Sequence, residues 1–443
     1  MFTKITLQNF RSFDSINFDL SEKNKGAKSL ALIYGENGSG KSNLVLAFAF
    51  LDELLQTMDV RDRYEALLNR SIDFQNEELQ RIWKEQLISE LRDIKVISQE
   101  YRMVDSDKPI IAEYEFIIHG NVGIYHIEVN EQEIISERLE YKLNQRRGVY
   151  FDCKKSSINI NRSIIKDADF YQDIKSAAKR FWGKHSLLSI ILHELDDKSS
   201  SYGQDNIISN FDSVLQELYC VSSNIEIGKM KWVSSYSPMK ILESPIRGRI
   251  PTEREGQLSV AEEILSEFFK SINSNIKGVK YITTTIENKI DYKLYMEKMI
   301  AGSYRLVDFD KESVGNHQLV RLLCQLLTAC IGYAVILDEP DASIHDVLFK
   351  KIIQEIQGVI TGQLIITTHN TMLMESNVGR DAIYILSEEE GGHSKIQCIS
   401  DYEKRTYLGN NIRNKYLNNE YRGIPIVKEI KFADLIQKLK KEL

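Results

Sequence analysis

The sequence predicts a mixed α/β fold: one sheet core split by two helical insertions, with an antiparallel strand meander between them. Three observations lead there. A short apolar run ending in glycine, Leu30-Ala31-Leu32-Ile33-Tyr34, precedes apolar residues at helical spacing, Leu44, Ala47, Phe48, Leu51, Leu54 and Leu55, as a buried strand feeding a helix does. From Pro109 the apolar period changes to two, the period of strands. Two more apolar runs, at 333–337 and 363–368, alternate with helical patterns, the arrangement of a parallel sheet.

In chain order, residues 2–8 read as a strand, with Phe2, Ile5 and Leu7 among polar neighbours, and 10–20 alternates like a half-buried strand. Residues 43–101 are mostly helical, and 77–92 is charge-rich and exposed. Strands follow at 110–118, 123–129 and 134–143, turning at Gly120-Asn121 and Asn130-Glu131. Residues 160–275 return to a polar helical character, interrupted by strand-like residues at 226–233. A strand pair at 289–299 and 303–307 turns at Ala301-Gly302. A long apolar helix (319–332), the 333–337 strand, a helix at 344–357, the 363–368 strand and a strand at 382–386 complete the pattern. The chain divides into an N-terminal core lobe at 1–50, a helical insertion at 51–108 and the meander at 109–149. A mainly helical insertion and oligomerisation arm follows at 150–279, then a C-terminal core lobe at 280–400 and a basic helical tail at 401–443. Neither lobe is a complete sheet, so the two must meet in space.

Composition excludes several classes. Gly (23) and Pro (6) are too few for a collagen-like, linker-like or disordered chain. No run of eighteen apolar residues exists, so no transmembrane helix and no membrane partner are expected. The start Met1-Phe2-Thr3-Lys4 runs into a strand without a signal-peptide core. Cys153, Cys220, Cys324, Cys330 and Cys398 are scattered with no CxxC, which fits a reducing cytoplasm rather than a disulfide or zinc framework. A net charge of −7 argues against a nucleic-acid coat, leaving local basic stretches at 175–184 and 247–254.

Gly35-Glu36-Asn37-Gly38-Ser39-Gly40-Lys41-Ser42 fits G-x-x-x-x-G-K-[ST] between a buried strand and a helix, the context of a phosphate-binding P-loop. Glycines let backbone N–H groups turn inward around phosphate, and the helix N-terminus adds partial positive charge. The expected ATP contacts are Asn37, Gly38, Ser39, Gly40, Lys41, Ser42 and Asn43. Lys41 reaches the β- and γ-phosphates and Ser42 ligates Mg²⁺. The run Ala334-Val335-Ile336-Leu337-Asp338-Glu339 delivers two carboxylates to the edge where α/β sheets hold ligands. Asp338 joins Ser42 around Mg²⁺, and Glu339 orients or deprotonates the attacking water. His369, after the next strand, senses the γ-phosphate or polarises that water. Ser313-Val314-Gly315-Asn316-His317-Gln318 opens the long helix. It is either a plain cap or a presenter of N–H groups and a hydroxyl to phosphate. His185 and His193 do not stand at metal-ligand spacing.

The motif order resembles that of ABC-type AAA family ATPase heads of the SMC/RecF/OLD-like kind. The matching features are Asn9-Phe10-Arg11-Ser12-Phe13, the loop GENGSGKSN, the signature-like segment, DEPDASIH and TTHN. It is also similar to stand-alone phage-defence ATPases, such as AriA of PARIS and the abortive-infection ATPases. Their meander resembles 113–139 and their tail resembles 404–425. The resemblance covers about 1–50, 109–142 and 280–426. It implies an ABC-ATPase head, a P-loop mixed sheet plus antiparallel meander with helical insertions, that hydrolyses ATP with Glu339 and His369 as catalytic residues. It also implies that Arg11 approaches phosphate, that Ser313 and Gly315 act in trans on the nucleotide of a second head, and that Asp341 is the D-loop residue at that interface. Val314 stands where the LSGGQ pattern has its first glycine, and Asn316 where it has glutamine. Gln99, Gln132 and Gln145 are the candidates for the Q-loop.

A signature acting in trans implies a homo-oligomer built from head-to-head dimers. About 75 residues follow His369, fewer than a Toprim nuclease domain needs. A nuclease or toxin activity would therefore belong to a separate effector protein, released by a phage-derived trigger. A second class also fits: a RecF-like DNA-repair or DNA-maintenance clamp, whose partner is nucleic acid and whose binding depends on salt.

Overall fold

The computed structural model describes residues 1–22, 26–68, 92–196, 205–227, 230–234, 236–237, 239–389, 391–402, 411–425 and 430–440. The charge-rich stretch expected at 77–92 lies outside these apart from Arg92, as do Lys404 and Arg405.

Five parallel strands form the core sheet, in the spatial order Ser222–Ile227, Ala334–Asp338, Gln363–Thr367, Leu30–Tyr34 and Ile383–Glu388. Met230–Ser234 and Ser394–Cys398 close its edges antiparallel. The two lobes therefore interleave: the N-terminal strand Leu30–Tyr34 is bonded between two C-terminal ones. Its five residues are all buried, because helices cover both faces of the sheet. Helix Lys41–Leu55 packs on one face with Ala31, Ile33, Ile336 and Ile365. Helices Val314–Cys330 and Asp346–Ile356 pack on the other with Leu32, Tyr34, Leu337 and Ile366.

A second, antiparallel sheet of seven strands runs Ser157–Ile160, Arg146–Lys154, Ile134–Leu143, Asn121–Val129, Ile110–Ile118, Phe2–Phe10, Phe13–Asp19. It lies on the far side of helix Lys41–Leu55. The Tyr114 hydroxyl donates to Ala47 O (2.6 Å), and Phe2 and Phe10 meet Phe48 and Phe50 edge-on. The helix between the two sheets is thus buried nearly all round. Gln363, fully buried, joins the sheets: its amide accepts from Phe2 N (2.9 Å) and donates to Phe2 O (2.8 Å) and Lys28 O (3.0 Å).

The first meander turn is His119-Gly120, one residue earlier than the expected Gly120-Asn121. Both residues sit at positive φ (47° and 72°), as a two-residue hairpin of this hand requires. Asn121 already pairs with Ile118. The expected turn at Ala301-Gly302 has the same form (φ 50° and 82°) and joins Lys289–Ile300 to Ser303–Asp308 in a third, smaller sheet. Helix Gly256–Ile272 packs on that sheet. The span 150–279 contributes helices Ala168–Phe181, Leu187–Asp196 and Ser209–Tyr219, which pack on the meander, and also the edge hairpin of the core sheet. At the C-terminus, helix Ile412–Leu417 returns to the core. Tyr416 meets the Tyr34 ring at 5.7 Å, and Arg413 donates to Thr371 Oγ1 (3.0 Å) and Glu375 Oε1 (3.0 Å).

One buried carboxylate fixes the helices to the meander. Glu137 is fully buried. Its Oε2 accepts from Trp182 Nε1 (2.9 Å) and Leu187 N (2.7 Å); its Oε1 accepts from Tyr125 Oη (3.1 Å) and Leu188 N (3.3 Å). Two of these donors are first-turn N–H groups of helix Leu187–Asp196, which no intrahelical carbonyl can satisfy. Burial raises the Glu137 pKa to about 6, with these hydrogen bonds opposing it. Glu137→Ala, which strands four donors, is expected to destabilise the chain by about 3 kcal/mol in thermal or urea unfolding. Glu137→Gln keeps one accepting oxygen, and with it two of the four partners, and should cost less. The folded pKa lies above the ordinary glutamate value, so folding favours the proton. The wild-type advantage over Glu137→Gln should be largest at low pH and decline as pH rises through about 6. A pH-independent difference between the two would show that Glu137 does not titrate with folding.

Candidate nucleotide-binding site

From the carboxyl end of Leu30–Tyr34 the chain turns through 35–40 into helix Lys41–Leu55. Gly38 and Gly40 sit at φ 85° and 101°, where a side chain is strained. A Cβ on Gly40 would fall 2.8 Å from the Phe13 ring, and one on Gly35 would fall 2.5 Å from Leu386 O. No side chain caps the helix start, which leaves its first N–H groups for an incoming group. Asn37 and Gly38 are exposed at the loop tip. Lys41 turns back into the loop and donates to Gly35 O (3.0 Å) and Glu36 O (3.1 Å). Burial lowers its pKa, against the pull of Glu339, Asp338 and Glu36. Ser39 Oγ is buried with no partner among the described residues. Asn43 Nδ2 donates to Ser12 Oγ (2.9 Å), so the turn after the first strand braces the loop.

The acids come from the neighbouring strands. Parallel register sets Asp338 beside Thr367. The Thr367 hydroxyl donates to Asp338 Oδ1 (2.5 Å) and accepts from Glu339 N (3.0 Å). Glu339 sits at φ 44°, a left-handed conformation that costs about 1–3 kcal/mol; Thr367 O (3.1 Å) and Oγ1 hold its N–H there. Its Oε1 lies 3.2 Å from His369 Nε2. The hydrogen bond to His369 lowers the Glu339 pKa, with burial opposing and the charges of His369 and Lys41 adding to the fall. Burial raises that of Asp338, while hydrogen bonds from Thr367 and Ser42 oppose the rise. Thr368 Oγ1 donates to Asp341 Oδ2 (2.7 Å) and accepts from Asn370 N (3.0 Å). Asp341 Oδ1 is buried with no partner among the described residues, and burial raises the Asp341 pKa.

The structure thus gathers Lys41, Ser42, Asp338, Glu339 and His369 in one place, with Asp341 tied in through Thr368. Thr367 and Thr368 stood in the TTHN motif with no role read for them. The signal was two hydroxyls, both fully buried, directly before His369 at a strand end. Ser313 does cap its helix, accepting from Asn316 N (3.2 Å). A Cβ on Gly315 would fall 2.9 Å from Ser343 O, and Gln318 Nε2 donates to Pro340 O (3.2 Å). The 313–318 segment is therefore tied to the loop after Glu339, and Val314 is 73% exposed beside it. Arg11, at φ 53°, donates through Nη1 to Glu100 O (2.9 Å) and Oε1 (2.8 Å). It lines a cleft with Ser12, Asn43 and Gln99; Gln132 lies in the 130–133 turn of the meander.

These groups fit a nucleotide with Mg²⁺. The loop has no room for side chains at Gly35 and Gly40, the helix start is uncapped, and Ser39 Oγ and Asp341 Oδ1 lack partners. Ser42 and Asp338 are hard oxygen donors, and Mg²⁺ takes one or two such protein ligands and completes its shell with water and phosphate. Among the described residues no group of three or more His, Cys, Asp or Glu is placed to hold a metal ion by itself.

A family model described as "AAA domain, putative AbiEii toxin, Type IV TA system" matches residues 30–375. That span contains the P-loop, both acids and His369. No curated protein matches the chain. Among solved structures it is similar to the SMC head domain from Thermotoga maritima (15% identity over 90% of this chain and 98% of that one, TM-score 0.37). It is also similar to the Smc head domain with an extended coiled coil bound to the C-terminal domain of ScpA from Pyrococcus furiosus (16%, 89% and 95%, 0.40). A third likeness is to the recombination mediator protein RecF-ATPrS (14%, 89% and 98%, 0.35).

Thr367→Val keeps the side-chain shape and removes the bonds to Asp338 and Glu339 N. The Mg²⁺ requirement of ATP binding is expected to rise about tenfold, the worth of one hydrogen bond to a charged group, with binding in EDTA unchanged. A Mg²⁺ titration identical to wild type would show that this hydroxyl does not position Asp338.

Proposed function

The chain belongs to this AAA-domain family, and from that premise we propose that it is an ABC-type ATPase working as a nucleotide-driven switch. The observation that carries the reading is the convergence of Lys41, Ser42, Asp338, Glu339 and His369 at the carboxyl edge of the parallel sheet, where α/β sheets hold ligands. Asn37, Gly38, Ser39, Gly40 and Asn43 surround the phosphates. Lys41 exchanges the neutral Gly35 and Glu36 carbonyls for charged phosphate oxygens, the stronger partners. Ser42 and Asp338 hold Mg²⁺, which when bound neutralises phosphate charge. Glu339, kept ionised by His369, takes the proton of the water that attacks the γ-phosphorus, and ADP leaves. His369 couples that carboxylate to the phosphate.

Ser313 and Gly315 lie at an open surface beside the loop that carries Asp341. We assign them to the nucleotide of a second head, in a homo-oligomer of head-to-head dimers. Arg11 reaches phosphate there only after leaving Glu100. The family description names a toxin and a TA system, which supports a place in antiviral defence. On this reading the cytoplasmic ATPase holds a separate effector, nuclease or toxin, until a phage-derived trigger changes its nucleotide state, as in PARIS-like abortive-infection pairs. The alternative, a RecF/SMC-like DNA clamp, draws less support from charge: Arg249 pairs with Asp291, and Arg247 faces Asp310 at 3.8 Å.

Glu339→Gln keeps the shape and removes the base. Hydrolysis should fall by about 10²–10⁴, and with ATP and Mg²⁺ the heads should stay joined, doubling the mass in native mass spectrometry. A mass unchanged from the nucleotide-free chain would refute the trans assembly. Purified from its own operon, the oligomer should carry a stoichiometric second polypeptide; nucleic acid in its place would favour the clamp.

A further inference from the structure

Where helix Val314–Cys330 crosses strand Ser222–Ile227, both facing surfaces are polar. Ser222, Asn224 and Glu226 share one face of the strand, while Ile225 enters the core from the other. The helix opposes them with His317, Arg321, Gln325 and Thr328, spaced to share one helical face. The same helix seals against the core elsewhere with Leu319, Leu322 and Leu326. A helix covering a sheet ordinarily does so with an apolar stripe. Here the polar rows stand apart around a cleft of about 470 Å³, within the size range of small-molecule sites. Leu242 to Arg247 and Asp310 close its third side.

Three acids, Glu226, Glu243 and Asp310, and three bases, Lys231, Arg247 and Arg321, line the cleft. Glu226 pairs with Lys231 (2.5 Å), Glu243 with Lys240 (2.6 Å) and Asp310 with Lys293 (2.8 Å). Each of the three carboxylates thus faces a lysine, two of them from outside the lining, and Lys293 also bonds Asp308 (2.7 Å). Arg247 reaches Asp310 only at 3.8 Å. The side chains of Arg321, Asn224 and Gln325 hold no hydrogen bond or ion pair among the described residues. Tyr236, packed on Tyr333 with ring centroids 4.9 Å apart, supplies an aromatic wall.

We infer that this cleft binds a phosphorylated small molecule of nucleotide size. Arg321 and Arg247 take its phosphate, since planar guanidinium forks match phosphate oxygens. Asn224 and Gln325 hydrogen-bond its polar body. The cleft shares no residue with the P-loop. Its helix begins at Ser313, so an occupant bears on Ser313 and Gly315; that coupling, unlike the binding, rests on the function proposed above.

Equilibrium dialysis of the full chain with AMP and with inorganic pyrophosphate tests the binding. The chain is given Lys41→Ala so that the P-loop contributes little. One equivalent of either probe should bind, and adding Arg321→Glu, a change at an exposed position, should weaken it at least tenfold without altering the melting temperature. Absence of binding for both probes overturns the proposal. So does binding that Arg321→Glu leaves unchanged, which would place the probe in the P-loop. An inactive ATPase would sink the proposed function and leave this result standing.

Discussion

The molecule depends on one pairing: Leu30–Tyr34 hydrogen-bonded in parallel between Gln363–Thr367 and Ile383–Glu388. The strand that leads into the P-loop and the strand that ends at His369 come from opposite ends of the chain. The site exists only once they are zipped in register. Side chains alternate along a strand, so a slip of one residue at the Asp338–Thr367 rung would send one of the two to the opposite face. Such long-range parallel pairing is slow to form, and nothing local substitutes for it.

Around that pairing the structure builds outward in layers. The P-loop helix lies between the core sheet and the antiparallel meander, and Gln363 welds the two by satisfying Phe2 and Lys28 together. Glu137 does the same one layer further out, tying helix Leu187–Asp196 to the meander. Both are buried polar groups with their partners in place, the condition under which such groups specify a fold rather than weaken it. The nucleotide loop is thus braced from behind by apolar packing and from the side by Ser12 and Phe13.

Much of this was legible in the sequence because its causes are local. The P-loop demands glycine, lysine and serine at fixed spacing, and Glu339 and His369 follow apolar strands. The roles of Thr367 and Thr368 were not, because they depend on which strand lies next door. Arg11 fits its motif, but its bond to Glu100 arises from helix Ile94–Tyr101, distant in the chain. The meander turn shifted by one residue because His119, not Asn121, takes the left-handed position. Glu137 carried a signal after all: it shares strand parity with Leu139 and Tyr141, so the period of two already placed it inside. The sequence pattern marked only 226–233 as strand-like, and the fold shows the polar row Ser222, Asn224 and Glu226 facing a helix across the cleft.

The backbone of Glu339 places this position under two separate selections. The role of base proposed for it asks for a carboxylate, while its left-handed φ of 44° disfavours β-branched residues and is kindest to glycine, asparagine and aspartate. Neutral drift that loses the chemistry therefore runs toward those three residues rather than toward valine or threonine. A copy of this gene that had become a pure nucleotide holder would be recognisable by Asn or Gly at this position in an otherwise intact loop.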